Sequence, residues 1–194
     1  RERITEFKVN WNIISWTGKA WAKRVFPDLP KEEAVKKLGD AIFHASRVSS
    51  EDPIAEWDTH NKNLREKTDW LNSMNFSSLH YDGPGTSLEV GLADDHEWMG
   101  GASEAQNGII CNPNIPSEEV FTTPHAHRVN GNVCSTKPLS YQGTLIEDIK
   151  VEFKDGKIVN ASSSKGENVL LKVLDSDEGS RRLGEVALVP NSSP

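Results

Sequence analysis

The sequence predicts an α/β segment followed by a β-rich α+β segment, with the change of texture near residue 75. Three observations carry this reading: an alternating stretch near the first residues, two helical patterns between residues 30 and 74, and, beyond them, short apolar runs punctuated by glycine turns. From Ile4 to Ser15, Phe7, Val9, Trp11 and Ile13 alternate with Thr5, Lys8, Asn10 and Asn12, the period of two of a half-buried strand. Thr17 is placed to cap a short helix over Gly18 to Val25. Phe26-Pro27-Asp28 ends it, because proline disfavours a helical conformation at the residue before it. A second helix opens at Pro30, where a missing N–H costs nothing, and Glu32 and Glu33 suit the positive end of its dipole. Its buried face is predicted to hold Ala34, Leu38, Ile42 and Phe43. A longer helix runs from about Asp52 to Met74, with Ile54, Trp57, Leu64 and Leu71 inward and Lys62, Arg65, Glu66 and Lys67 outward.

Beyond residue 75, Phe76 to Tyr81 and Thr86 to Leu92 read as a hairpin around Asp82-Gly83-Pro84-Gly85. Trp98 to Pro116 is rich in glycine and asparagine without periodicity, as in an ordered loop. Asn130-Gly131 and Asp155-Gly156 are two-residue turn signals, the second joining Leu145 to Phe153 and Lys157 to Ala161. Gly166 to Val173 has a helical apolar edge, Glu178 to Leu183 a further helical turn, and Glu185 to Val189 a strand. Residues 1–74 and 75–194 are the two domain segments expected.

The chain has 194 residues and a net charge of −7, with a mean hydropathy of −0.57. That is the composition of a globular chain that folds in water. No apolar run reaches the ~20 residues that span a bilayer. The acidic balance argues against nucleic acid and anionic membranes as partners, since both are bound by clustered Lys and Arg. The two cysteines, Cys111 and Cys134, have no CxxC spacing and read as small core hydrophobes of a reducing cytoplasm. Arg1 to Phe7 has neither an initiator Met nor a signal core, as expected of a piece of a longer chain. Phosphate-loop, dinucleotide, nucleophile-elbow and HExxH motifs are all absent, which disfavours nucleotide kinases, ordinary dehydrogenases, serine hydrolases and the commonest zinc proteases.

Several residues have a chemical and a bland reading side by side. His125 and His127 share one side of a strand, where two imidazoles can reach one metal or simply face water. Ser117-Glu118-Glu119 reads as a helix cap with acidic first-turn residues, or as a source of ligands. Glu185 opens an apolar strand, so its carboxylate faces water or needs a proton, an ion pair or a cation. Ser135-Thr136-Lys137-Pro138-Leu139 is a polar active-site rim or a solvated turn.

Four further segments decide between them: Pro116-Ser117-Glu118-Glu119-Val120-Phe121-Thr122-Thr123-Pro124-His125, Val129-Asn130-Gly131, Ser135 to Leu139, and Leu183-Gly184-Glu185-Val186-Ala187-Leu188-Val189-Pro190. With Val9-Asn10-Trp11-Asn12 and Tyr81 to Thr86, they resemble the aminopeptidase T and aminopeptidase S family of metalloaminopeptidases. The likeness runs the whole chain and matches roughly the middle half of a full member. It implies the end of an N-terminal α/β domain over 1–74, then the first part of a β-rich α+β metal-binding catalytic domain over 75–194. It also implies a cytoplasmic homodimer acting on peptide substrates. Two divalent ions, cobalt, zinc or similar, are implied, held by two glutamates and then by a His, a Tyr, a second His and an Asp. Glu119 and Glu185 match the two glutamates, and no residue here matches the other four ligands. The resemblance leaves His125 and His127 outside the ligand set, as groups behind it or on the substrate side. It implies that the intact protein is a peptidase and that this chain alone is inactive. The rival readings are a non-catalytic structural or interaction module, and a metal binder centred on the two histidines.

Overall fold

The computed structural model describes residues 2–193. In chain order the elements begin with α1 (Glu2–Thr5), β1 (Ile13–Ile14), α2 (Lys19–Val25), α3 (Lys31–Ala45) and α4 (Pro53–Met74). Then come β2 (Ser78–Gly83), β3 (Thr86–Leu92), β4 (Ser103–Glu104), β5 (Ile110–Cys111), β6 (Asn114–Ile115), β7 (Val120–Thr122) and β8 (Pro124–Cys134). The chain continues through β9 (Leu139–Tyr141), β10 (Thr144–Ile146), β11 (Lys150–Lys154), β12 (Lys157–Ser162), α5 (Glu167–Leu174) and β13 (Val186–Leu188). It forms two compact units: Arg1–Trp70 with Met99–Val120 and Leu188–Pro194, and Leu71–Trp98 with Phe121–Ala187.

In the first unit, Ala22 of α2 meets Ala34 and Leu38 of α3, with Phe26, Leu29, Val35 and Ile42 packed around them. Two alanines let the helices approach closely. Phe43 was expected on that face, yet it lies outside, tilted against Trp16 at 6.0 Å. Thr17 does not cap α2. Gly18 holds the cap position, and the Thr17 hydroxyl donates to the Val35 carbonyl at 3.3 Å. Asp52 caps α4, its Oδ1 accepting the N–H groups of Ile54 and Ala55 at 3.1 and 3.0 Å. Ile54 is therefore first-turn surface, 76% exposed, whereas Leu64 and Leu71 are buried as expected, with Thr68 beside them.

The alternating stretch from Ile4 to Ser15 is not a long strand. The N–H groups of Glu6, Phe7 and Lys8 return to the carbonyls of Glu2, Ile4 and Arg3, closing a helical turn that ends at Phe7 with φ 53°. Only Ile13 and Ile14 pair, parallel to Asn114 and Ile115. Phe7 and Trp11 stack edge to face at 6.2 Å, so their spacing serves a local aromatic contact. The loop after residue 98 is tied down by amides. Asn61 and Asn112 exchange hydrogen bonds at 3.0 and 2.8 Å, Asn12 donates to the Asn112 carbonyl at 2.6 Å, and Asn107 donates to Asn10 at 3.2 Å.

The second unit is built on a five-stranded sheet in the order β12-β11-β8-β3-β2, antiparallel at each described pairing. The β2–β3 hairpin turns at Gly83 and Thr86, as the sequence predicts. Asn130-Gly131 is no turn. β8 runs straight through it as the central strand, and Gly131 takes φ 115° because the Ser87 carbonyl passes 2.1 Å from where a Cβ would stand. Asp155 and Gly156 do form a turn, with φ 49° and 79° between β11 and β12. Leu145 belongs instead to β10, paired with β9. Glu178 to Leu183 forms turns rather than a helix. The Asp177 carboxylate accepts the N–H groups of Gly179 and Ser180 at 2.7 and 2.8 Å, in competition with helical bonding. Both cysteines are free and only half-buried, so neither is a core residue. Among the described residues no helix is long and apolar enough to cross a membrane.

The glycines give a graded test of this packing. Gly131→Ala is expected to cost more than ~3 kcal/mol, since backbone strain and a clash with backbone coincide. Gly143→Ala, at φ 81° with nothing within 4 Å, is expected to cost about 1 kcal/mol. Urea unfolding of both variants, read at constant m, checks the order.

Candidate metal centre

Glu119 is the residue before β7 and Glu185 the residue before β13. β7 and β13 pair as a two-stranded sheet, in which Phe121, Thr122, Val186 and Ala187 all belong to the second unit. Val120, Thr122 and Val186 are buried, and the Thr122 hydroxyl donates to the Glu97 carbonyl at 2.8 Å. Each glutamate thus immediately precedes a strand of this pair, Glu119 in the first unit and Glu185 in the second. Glu119 is half-buried and Glu185 exposed. No helix begins at Ser117, so the capping reading of Glu118 and Glu119 is corrected: the segment is loop leading into β7.

Glu118 has a different task from its neighbour. Arg47 follows α3 in the left-handed region, φ 59°, and grips Glu118 with both guanidinium arms. Nη2 donates to Oε2 at 2.9 Å and Nη1 to Oε1. The guanidinium lies over the Trp57 ring, 5.6 Å from its centroid, and Trp57 Nε1–H donates to the Ser46 carbonyl at 2.9 Å. His60 meets Trp57 edge-on at 5.4 Å. Its Nε2 stands 2.6 Å from the Ser117 carbonyl oxygen, an acceptor, so Nε2 carries the proton. Burial pushes the Glu118 carboxyl up. The hydrogen bond and charge of Arg47, with His60 and the Ser193 hydroxyl, outweigh that and hold it below the ordinary carboxylate range. The Glu118 hydrogen bond in turn raises Arg47.

His125 and His127 share one face of β8, with ring centroids 6.0 Å apart. His125 Nδ1 accepts the backbone N–H of His127 at 3.1 Å, which occupies the lone pair a metal would need there. Nearby, Asp94 is held below its usual range by the hydrogen bond and charge of Arg128, and less by His125. Ser135, Thr136, Lys137 and Pro138 line a shallow polar recess with Glu147 and Asp148. Among the described residues no group of three or more His, Cys, Asp or Glu is arranged to hold a metal ion. Carboxylate oxygens are hard donors that suit divalent ions, so Glu119 and Glu185 are each of a donor type such an ion takes, and two carboxylates are not a complete set.

Arg47 and His60 carry no motif of their own. Arg47 lies 71 residues before Glu118 in the chain, and only the fold joins them. With side chains 16% and 17% exposed, losing one partner leaves a partly buried charge. Arg47→Met and Glu118→Gln are each expected to cost about 1–3 kcal/mol, and the double variant much less than their sum. A double-mutant cycle by denaturant unfolding measures the coupling.

The family description "thermophilic metalloprotease (M29)" matches residues 1–194. The chain is 53% identical over 193 residues to aminopeptidase T of Thermus thermophilus, covering 100% of itself and 47% of that protein. It is 50% identical over 184 residues to aminopeptidase 2 of Geobacillus stearothermophilus, covering 95% of itself and 45% of that protein. The solved structure of wild-type AmpT from Thermus thermophilus superposes with a TM-score of 0.91 at 52% identity, over 97% of this chain and 46% of that one. The chain therefore spans about half the length of the curated relatives it matches. From end to end it belongs to the M29 family of thermophilic metalloproteases.

Proposed function

We propose that the protein is a metal-dependent aminopeptidase that releases N-terminal amino acids from peptides, and that Glu119 and Glu185 are two of its metal ligands. The observation that carries this is the match of the whole chain to a metalloprotease family; Glu119 and Glu185 are each the residue before a strand, β7 and β13. The names of the relatives, aminopeptidase T and aminopeptidase 2, support the substrate class. Two divalent ions, cobalt, zinc or similar, when bound supply Lewis acidity toward a scissile carbonyl and a water acidic enough to attack at neutral pH.

The chain's own residues have narrower tasks. Glu119 and Glu185 offer oxygen donors and offset part of the ionic charge. Short strands closed by buried Val120, Thr122 and Val186 fix the backbone that carries them. His125 and His127 lie outside the ligand set, as side chains behind it or on the substrate side. Residues 1–74 then form the end of an α/β domain, and 75–194 the first part of the catalytic domain. A cytoplasmic homodimer is the state in which the intact protein works. Because only two of six implied ligands match residues of this chain, the 194-residue chain alone is inactive.

Two measurements test the proposal. Isothermal titration of the full-length protein with cobalt is expected to show tight binding that Glu119→Gln and Glu185→Gln each weaken on the order of 100-fold or more. Unchanged affinity in both variants overturns the ligand assignment. With cobalt present, the full-length protein is expected to release leucine from a leucyl anilide and the 194-residue chain to release none. Turnover by the short chain overturns the six-ligand reading.

A further inference from the structure

We infer that Arg47, His60 and Gly100 are positioning residues that hold the segment Ser117–Val120 so that Glu119, and not Glu118, is presented to metal. The inference rests on the reading of Glu119 as a ligand. Two adjacent carboxylates at the entry to one strand are chemically equivalent to an ion, so something besides residue type must separate them. Arg47 occupies both oxygens of Glu118, so an ion at that carboxylate would have to displace a bidentate guanidinium.

Three independent constraints converge on four residues. His60 Nε2–H donates to the Ser117 carbonyl at 2.6 Å, fixing the peptide plane before Glu118. Arg47 takes both oxygens of Glu118, and its planar fork sets the direction of that side chain as well as its charge. Gly100 lies against the far end, where an added Cβ would stand 2.7 Å from the Glu119 carbonyl oxygen and 3.2 Å from Val120. The backbone at Glu119 is thus pressed against glycine on one side and tethered through its two predecessors on the other. The Arg47 side chain is braced in turn by Trp57, itself bonded to Ser46 at the end of α3. Neutralising Glu118 in place also keeps a second negative charge from competing for the ion. Arg47 thereby separates the roles of two carboxylates that the sequence sets side by side.

The test is cobalt titration by calorimetry on the full-length protein, with thermal unfolding of each variant in the absence of metal. Arg47→Met is expected to weaken cobalt binding about 10- to 100-fold, the range seen when groups that orient a ligand are lost. Arg47→Lys keeps the charge without the fork and is expected to lie between. Gly100→Ala, which displaces the Glu119 carbonyl without touching a charge, is expected to weaken binding as well. Arg181→Met removes an ion pair of the second unit, Nη2 to Asp175 at 2.7 Å, and is expected to leave affinity unchanged. If Glu119→Gln weakens binding while Arg47→Met and Gly100→Ala keep the parental affinity, the positioning inference fails and the ligand assignment stands. If Glu119→Gln itself keeps the parental affinity, the ligand assignment fails and the inference with it. Should Arg47→Met not fold, Arg47→Lys and Gly100→Ala decide the matter by the same readout.

Discussion

The second unit depends on how closely β3 and β8 approach at Gly131. β8 is the central strand, bonded to β3 on one side and β11 on the other. A side chain at residue 131 would meet the Ser87 carbonyl at 2.1 Å, so the two strands keep their spacing only around a glycine. Gly156 repeats the condition at the next hairpin, where a Cβ would lie 1.9 Å from the Ala126 carbonyl. With those two approaches satisfied, Val90 and Val129 face each other across the ladder and both are buried.

The first unit is held by a different economy of contacts. Its apolar centre is small, a handful of residues between α2 and α3, and much of its remaining chain is loop. Side-chain amides and backbone groups take over where a sheet is lacking. Asn61, Asn112, Asn107 and Gln106 each fasten one part of the loop after residue 98 to a segment distant in sequence. Such bonds are directional, and the half-buried Asn61–Asn112 pair leaves polar groups unsatisfied if either partner goes. They specify conformation more than they add stability.

The helices were legible because their signals are local: Pro30 with its glutamates, the inward series of α4, and the apolar edge of α5 all lie within a few turns of chain. The β2–β3 hairpin and the Asp155-Gly156 turn were legible for the same reason. Misreadings arose where a local signal served a non-local need. Asn130-Gly131 has the residues of a turn, yet glycine is there for a neighbouring strand and Asn130 for the Asp155 N–H. The alternation before Ser15 has the period of a strand, yet there is only a two-residue partner, β6, for it to pair with. Glu119 and Glu185 were singled out by family likeness rather than by any pattern of their own, and the pairing of β7 with β13 has no trace in sequence.

The contrast between Glu118 and Glu119 shows why composition near a site says little about its chemistry. Both are glutamates, both half-buried, and they are separated by one peptide bond. What distinguishes them is a guanidinium delivered from the end of α3, 71 residues away in the chain. A carboxylate satisfied at both oxygens by arginine would have to surrender a bidentate, charge-assisted contact before it could bind an ion. Metal binding at Glu118 would cost that contact and strand Arg47 as a partly buried cation. The Arg47–Glu118 pair thus rests on α3 delivering the guanidinium, with Trp57 and His60 of α4 packed against it.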